Sequence, residues 1–136
     1  MSTEPSLELQ GAIVSKLKST SAVTTLIAQR VYDKPLASPT FPYVTVGDDQ
    51  VLQDHAECLE GSVEINSNIH VWSRVPGKVE AKKIAGAIVT ALNGAALSVN
   101  GYRLVSIQHT DTRHLDDPDG LTSHSVVSFR SLIDET

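Results

Sequence analysis

The sequence predicts an α+β fold: a mainly antiparallel mixed sheet of four to five strands, with two main helices packed on one face. Three observations carry this reading. The run SVEINSNIHVWSR alternates apolar and polar residues over more than a dozen positions, the mark of a strand with one buried face. The stretch KVEAKKIAGAIVTALNG instead repeats its apolar residues at helical spacing. Strands and helices do not alternate regularly along the chain, which argues against a parallel βαβ layout.

Taken in order, Pro5-Ser6 marks a helix start, with Ser6 expected to accept from the first free backbone N–H groups and Glu8 near the positive end of the dipole. Leu9, Ile13, Val14 and Leu17 then recur along one helical face. The polar break Ser19-Thr20-Ser21 separates this helix from SAVTTLIAQ, read as one further short helix. Val31-Tyr32 begins an extended segment, and Pro35, Pro39 and Pro42 forbid helix through residues 34–42. YVTVGDDQVL reads as a strand with Val44 and Val46 on one face, followed by a polar connection over 53–61.

In the long alternating run, Val63, Ile65, Ile69 and Val71 point one way, and Glu64, Asn66, Asn68, His70 and Trp72 the other. Trp72 on the polar side implies that something covers that face. Pro76-Gly77 opens the second main helix, whose stripe is Ala81, Ile84, Ala85, Ile88, Ala91 and Leu92, with Gly94 placed for a left-handed cap. Asn100-Gly101 between ALSV and YRLVSI predicts a two-residue hairpin turn. The strand from Tyr102 is expected to reach about Thr112. SHSVVSFRSLI forms the last strand, with Val127, Phe129 and Ile133 on one face and His124, Val126 and Arg130 on the other, before a fraying tail DET.

Size and composition narrow the functional classes. The 136 residues suit one domain over 1–136, with an ordered core over about 6–133. Cys58 is the only cysteine and sits among polar neighbours, which suits a reducing compartment and gives no sign of an activated nucleophile. No apolar run approaches the roughly 20 residues of a membrane helix. The opening MSTEPSLELQ has no basic start or apolar core, so the expectation is a soluble chain made in the cytoplasm. A formal net charge of −5, with 11 Lys and Arg scattered along the chain, argues against a surface that grips phosphates.

The segment HTDTRHLDDPDG concentrates the chemistry-bearing residues. As a calcium loop aligned on Gly120 it has Asp117 and Asp119 in ligand positions, but Leu115 takes the first and Val126 the bidentate one, so the motif fails. His109 and Asp111 share a face if the strand is regular, whereas His114 has the opposite parity. Asp-Pro and Asp-Gly are turn dipeptides, and DDPDG is read first as a turn. No G-x-S-x-G elbow or glycine-rich phosphate loop is present. No catalytic, cofactor-binding or metal-binding residue is assigned, and the reading is of a non-enzyme.

The residues that now stand together are LELQGAIVSKL, RVYD at 30–33, FPYVTVGDD at 41–49, IHVWSR at 69–74, GYRLVS at 101–106 and DPDGLTSHSVVSFR at 117–130. In this order the chain resembles the tail-completion, or tail-terminator, family of long-tailed phages, prophages and gene transfer agents. That resemblance implies a structural assembly protein: a hexameric ring at the head-proximal end of the tail tube, which ends tube growth and forms the docking surface for the neck. Its implied partners are further copies of itself, the major tail tube protein and the head completion or stopper protein, with DNA only passing through the channel and no membrane or cofactor involved. Its implied location is the host cytoplasm during assembly, then the neck region of the particle.

A ring makes heterologous contacts. Trp72 and Tyr102 are candidate anchors, since aromatics on polar segments favour interfaces, with packing under a helix as the competing reading. Asp54, His55, Glu57 and Glu60, in the polar connection, are further candidates for contact with channel or tube. The alternatives are a connector or stopper of the neck and, of a different class, a metal-dependent hydrolase built on residues 109–124.

Overall fold

The computed structural model describes residues 4–53 and 62–135 of the chain. The element order is α1 (Pro5–Ser19), α2 (Ser21–Ile27), β1 (Val31–Tyr32), β2 (Tyr43–Gln53), β3 (Ser62–Ser73), α3 (Val79–Leu92), β4 (Tyr102–Asp116) and β5 (Ser123–Glu135). The strands form one five-stranded sheet in the order β1-β2-β3-β5-β4. Every pairing is antiparallel except the short parallel one of β1 with β2. The fold is the α+β arrangement predicted, with α2 as a third, short helix.

The helices share one sheet face because their apolar stripes have one place to go. Leu9, Ile13 and Leu17 of α1, Val23 and Ile27 of α2, and Ile84, Ile88 and Leu92 of α3 pack into a single core with Val44, Val46, Ile65, Ile69, Val71, Val127, Phe129 and Ile133 of the sheet. At about 1.5–3 kcal/mol for each large apolar side chain buried, this layer is the main source of stability.

Several local expectations change. Ser6 does not cap α1; the helix begins two residues earlier than such a cap would place it, and the carboxylate of Glu4 accepts from the Ser6 N–H at 2.8 Å. An acidic cap also suits the positive end of the helix dipole. Asn100-Gly101 is not a hairpin turn. Tyr102 N donates to Val99 O at 3.1 Å, and Gly101 has a φ of 80° while Asn100 does not enter the positive region, the pattern of a type II turn. The preceding residues pair with no strand, because the chain leaving α3 is used otherwise: Gly94 N donates to Ile107 O and the Asn93 side chain accepts from His109 N. β4 runs on past Thr112 to Asp116, and β5 takes in Asp134 and Glu135 rather than fraying there, with Asp134 paired to Arg103. The predicted cap at Gly94 is present, with φ of 72° two residues beyond α3. Of the polar connection expected over 53–61, Gln53 closes β2 and the rest lies outside the described residues.

Candidate interaction surface

One face of the sheet carries the helices. The other is covered by none of them among the described residues and bears most of the polar side chains read from the alternation. Strand pairing fixes who meets whom there. Tyr43 stands beside Trp72 and Trp72 beside His124; Thr45 beside His70; Asp48 beside Asn68, Asn68 beside Ser128 and Ser128 beside Asp111. Glu64 lies near Arg130 on the same face, with the guanidinium 3.0 Å from its carboxylate. That hydrogen bond, with a second from Asn66, holds the Glu64 carboxyl below the usual range.

The end of this face nearest the start of β2 is built from stacked rings. Trp72 and His124 lie 3.9 Å apart between centroids, tilted by only 10°, and Tyr43 stacks on the other side of Trp72 at 6.2 Å. Trp72 donates its indole N–H to Thr45 Oγ1 at 3.3 Å. The covering that Trp72 implied is therefore supplied by rings from three strands. Phe41 meets Tyr43 edge-on, and the Arg74 guanidinium sits 4.4 Å above the Phe41 ring.

Behind the stack runs a polar chain. His70 Nε2 is 3.0 Å from Asp48 Oδ2, and His70 Nδ1 is 2.7 Å from His124 Nε2. A carboxylate accepts, so His70 Nε2 donates to Asp48. Burial, the neighbouring His70 and the cation of Arg113 together push His124 below the ordinary imidazole range, against an opposing pull from Asp117. Asp33, Lys34, Pro35, Asp48, His70 and Trp72 help to enclose a groove of about 330 Å³ here. The proline-rich segment 35–42, whose Pro35 borders this groove, lines a second groove of about 220 Å³ together with Arg74 and Asp119.

The segment 109–120 is split by the fold rather than gathered. A bulge between His109 and Asp111 places His109 opposite Phe129 but Asp111 opposite Ser128. His109, Thr112 and His114 thus share the helix-side face, and Asp111 turns to the open one. The expectation that residues 109 and 111 share a face is overturned, because the extra residue shifts the parity of everything after it. His109 bonds Thr112 Oγ1 at 2.6 Å and His114 bonds Ser125 Oγ at 2.7 Å, so each imidazole is used locally. The turn expected at DDPDG is present: Gly120 has a φ of 73°, Asp117 N donates to Thr122 O, and Asp119 Oδ1 accepts from both Leu121 N and Thr122 N. Those bonds hold the Asp119 carboxyl below its usual range.

Of the interface candidates, Trp72 lies in the stacked row, and Tyr102 opens β4 packed against the core beside Leu104. Asp54, His55, Glu57 and Glu60 lie outside the described residues. The Asp48–His70–His124 chain is not foreseeable as a unit; its sequence signal is only that His70 and His124 fall on polar strand faces.

The arrangement is that of an α+β subunit with one helix-covered face and one face given to polar and aromatic side chains. A family model described as tail completion protein gp17 matches residues 11–134, and the chain belongs to that family. It is 27% identical over 125 residues to the tail completion protein gp17 of Bacillus phage SPP1, covering 92% of this chain and 91% of the relative. Its fold is similar to that of a chain in the virion of a native gene transfer agent particle, with a TM-score of 0.85 and 24% identity, over 98% of this chain and 99% of that one.

Proposed function

We propose that the protein is a non-enzymatic structural subunit that assembles, with further copies of itself, into a six-membered ring at the head-proximal end of a tail tube. The ring ends tube growth and offers the surface on which the neck docks. Membership of the tail completion family over residues 11–134 is the observation that carries this reading. Its partners are then the tube protein below and a head completion protein above. The formal charge of −5 supports a channel through which DNA passes without being gripped. Trp72, Tyr102 and the segment holding Asp54, His55, Glu57 and Glu60 are its candidate contact residues. Assembly takes place in the cytoplasm of the host, and the subunit then stays in the neck of the particle.

The test is removal of the gene from its particle-producing host, followed by electron microscopy. The expected result is heads without tails and tubes of uneven length, restored by the gene in trans. Particles with normal tails joined to heads in its absence would overturn the reading.

A further inference from the structure

The sheet has two outer edges, and they differ in charge. β1 covers β2 only at Val44 and Thr45, so among the described residues no strand pairs with the outer side of residues 48–53. On the far side, the chain after α3 covers β4 at Ile107 and His109, and no further backbone partner beyond β5 is described for residues 110–116. Unpaired edges of this length are templates for another strand.

Around residues 48–53 the charge is negative. Burial raises the Asp49 carboxyl above its usual range, and Glu4, Asp48 and Asp33 raise it further. Around residues 110–116 cations outnumber carboxylates: Lys82 and Lys78 add to burial in pushing His114 down, and Asp111 is an exposed carboxylate among them. Arg113 adds its guanidinium on the exposed face of β4, while Asp116 is taken up by Lys78 at 2.6 Å.

We propose that the outer edge of β4 in one copy joins the outer edge of β2 in the next, so that the sheets of neighbouring subunits run on into one another. This rests on the ring reading and supplies its subunit contact. Direction agrees: three successive antiparallel pairings leave β2 and β4 antiparallel to one another, so a neighbour's β2 continues the alternation beyond β4. Two different edges meet, so the contact is heterologous, and the acidic β2 edge meets a β4 edge with a small excess of cations, which disfavours self-pairing of β2 edges.

The positions of the free segments agree too. Asp48 and Asp111 stand level across the sheet, linked through Asn68 and Ser128, and the free segments run from that level in opposite directions. Joining them therefore displaces each copy along the strands by about four to five residues. At about 3.3 Å per residue, over four strands spaced about 4.8 Å apart, that is a tilt of about 35–40°. Closed barrels of strands tilt by about 35–45°.

The test uses the full chain with charge-reversed edges, each variant first shown to be folded by circular dichroism. Asp48→Lys with Asp49→Lys, or Lys82→Glu with Arg113→Glu, is expected to weaken self-assembly about tenfold or more in sedimentation. An equimolar mixture of the two variants is expected to restore it. In a second arm, Gln50→Cys and Arg113→Cys are placed together in a Cys58→Ser background and oxidised at high concentration. A ladder of cross-linked multimers is expected from the pair and none from either cysteine alone. Native-like assembly by both reversed variants, or no Gln50–Arg113 cross-link, overturns the edge contact. Rings that persist in both variants leave the ring reading standing, whereas a native chain that neither forms rings nor restores tails removes that reading itself.

Discussion

At the scale of single residues, close approach and titration decide what is tolerated. A Cβ on Gly47 would run into the backbone carbonyl and carboxylate of Asp33, where the chain from β1 passes β2. Gly47→Ala is expected to destabilise by roughly 1–3 kcal/mol, read as a fall in the urea midpoint. His114 and His124 are both held neutral, with pKa values lowered from 6.5. The unfolded chain then binds protons first as pH falls, so their contribution is complete above about 6.5 and is lost below it. Asp49, raised from 3.8, acts in the opposite sense and only in the acid range. Thermal melts of the native chain should fall in midpoint from pH 6.5 downward, and His124→Gln should flatten that slope. An unchanged slope would remove His124 as a source. The details that the sequence conceals also lie at this scale. Ser6 is the stronger cap on paper, but the helix already starts at Pro5, which leaves the cap position to Glu4.

Elements owe their positions to packing, and periodicity exposes that well. Of the predicted α3 stripe, Ala81, Ile84, Ala85, Ile88 and Leu92 are buried and Ala91 partly so, because a 3.6-residue repeat has one way to face a sheet. Ile88→Ala is expected to cost about 2–5 kcal/mol, measured by chemical denaturation. Strand parity is legible only while the strand is regular. In β4 it fails at Thr110, with no glycine or proline to announce the bulge, and His109 and Asp111 consequently part company. Deleting Thr110 should remove this bulge while leaving Asp111 opposite Ser128 and His114 opposite Ser125. The His114 bond to Ser125 is therefore expected to persist in the imidazole signals by NMR; its loss would mean that β4 slips in register instead. The Asn-Gly signal misleads for a similar reason. Its turn is real, but the chain before it passes β4 at Asn93 and Gly94, and residues 95–99 form no strand among the described residues.

For the whole molecule, the alternation in β3 and β5 makes the two sheet faces legible from the amino-acid sequence alone. The conjunction of Asp48, His70 and His124 is not legible there, since it depends on strand order, which periodicity does not encode. All three helices feed one core, so at dilution the chain is expected to unfold as a unit, with secondary and tertiary signals coinciding in urea. Separate transitions would mean that α1 and α2 leave the sheet independently.

The chain contains a single tryptophan, and its indole lies on the uncovered face in contact with His124. The molecule therefore carries its own optical label at the place where a partner covering that face would land. Emission excited through Trp72 should rise with pH as the stacked imidazole loses its proton. It should also shift in wavelength when the groove beside it fills, so binding can be followed without attaching a dye.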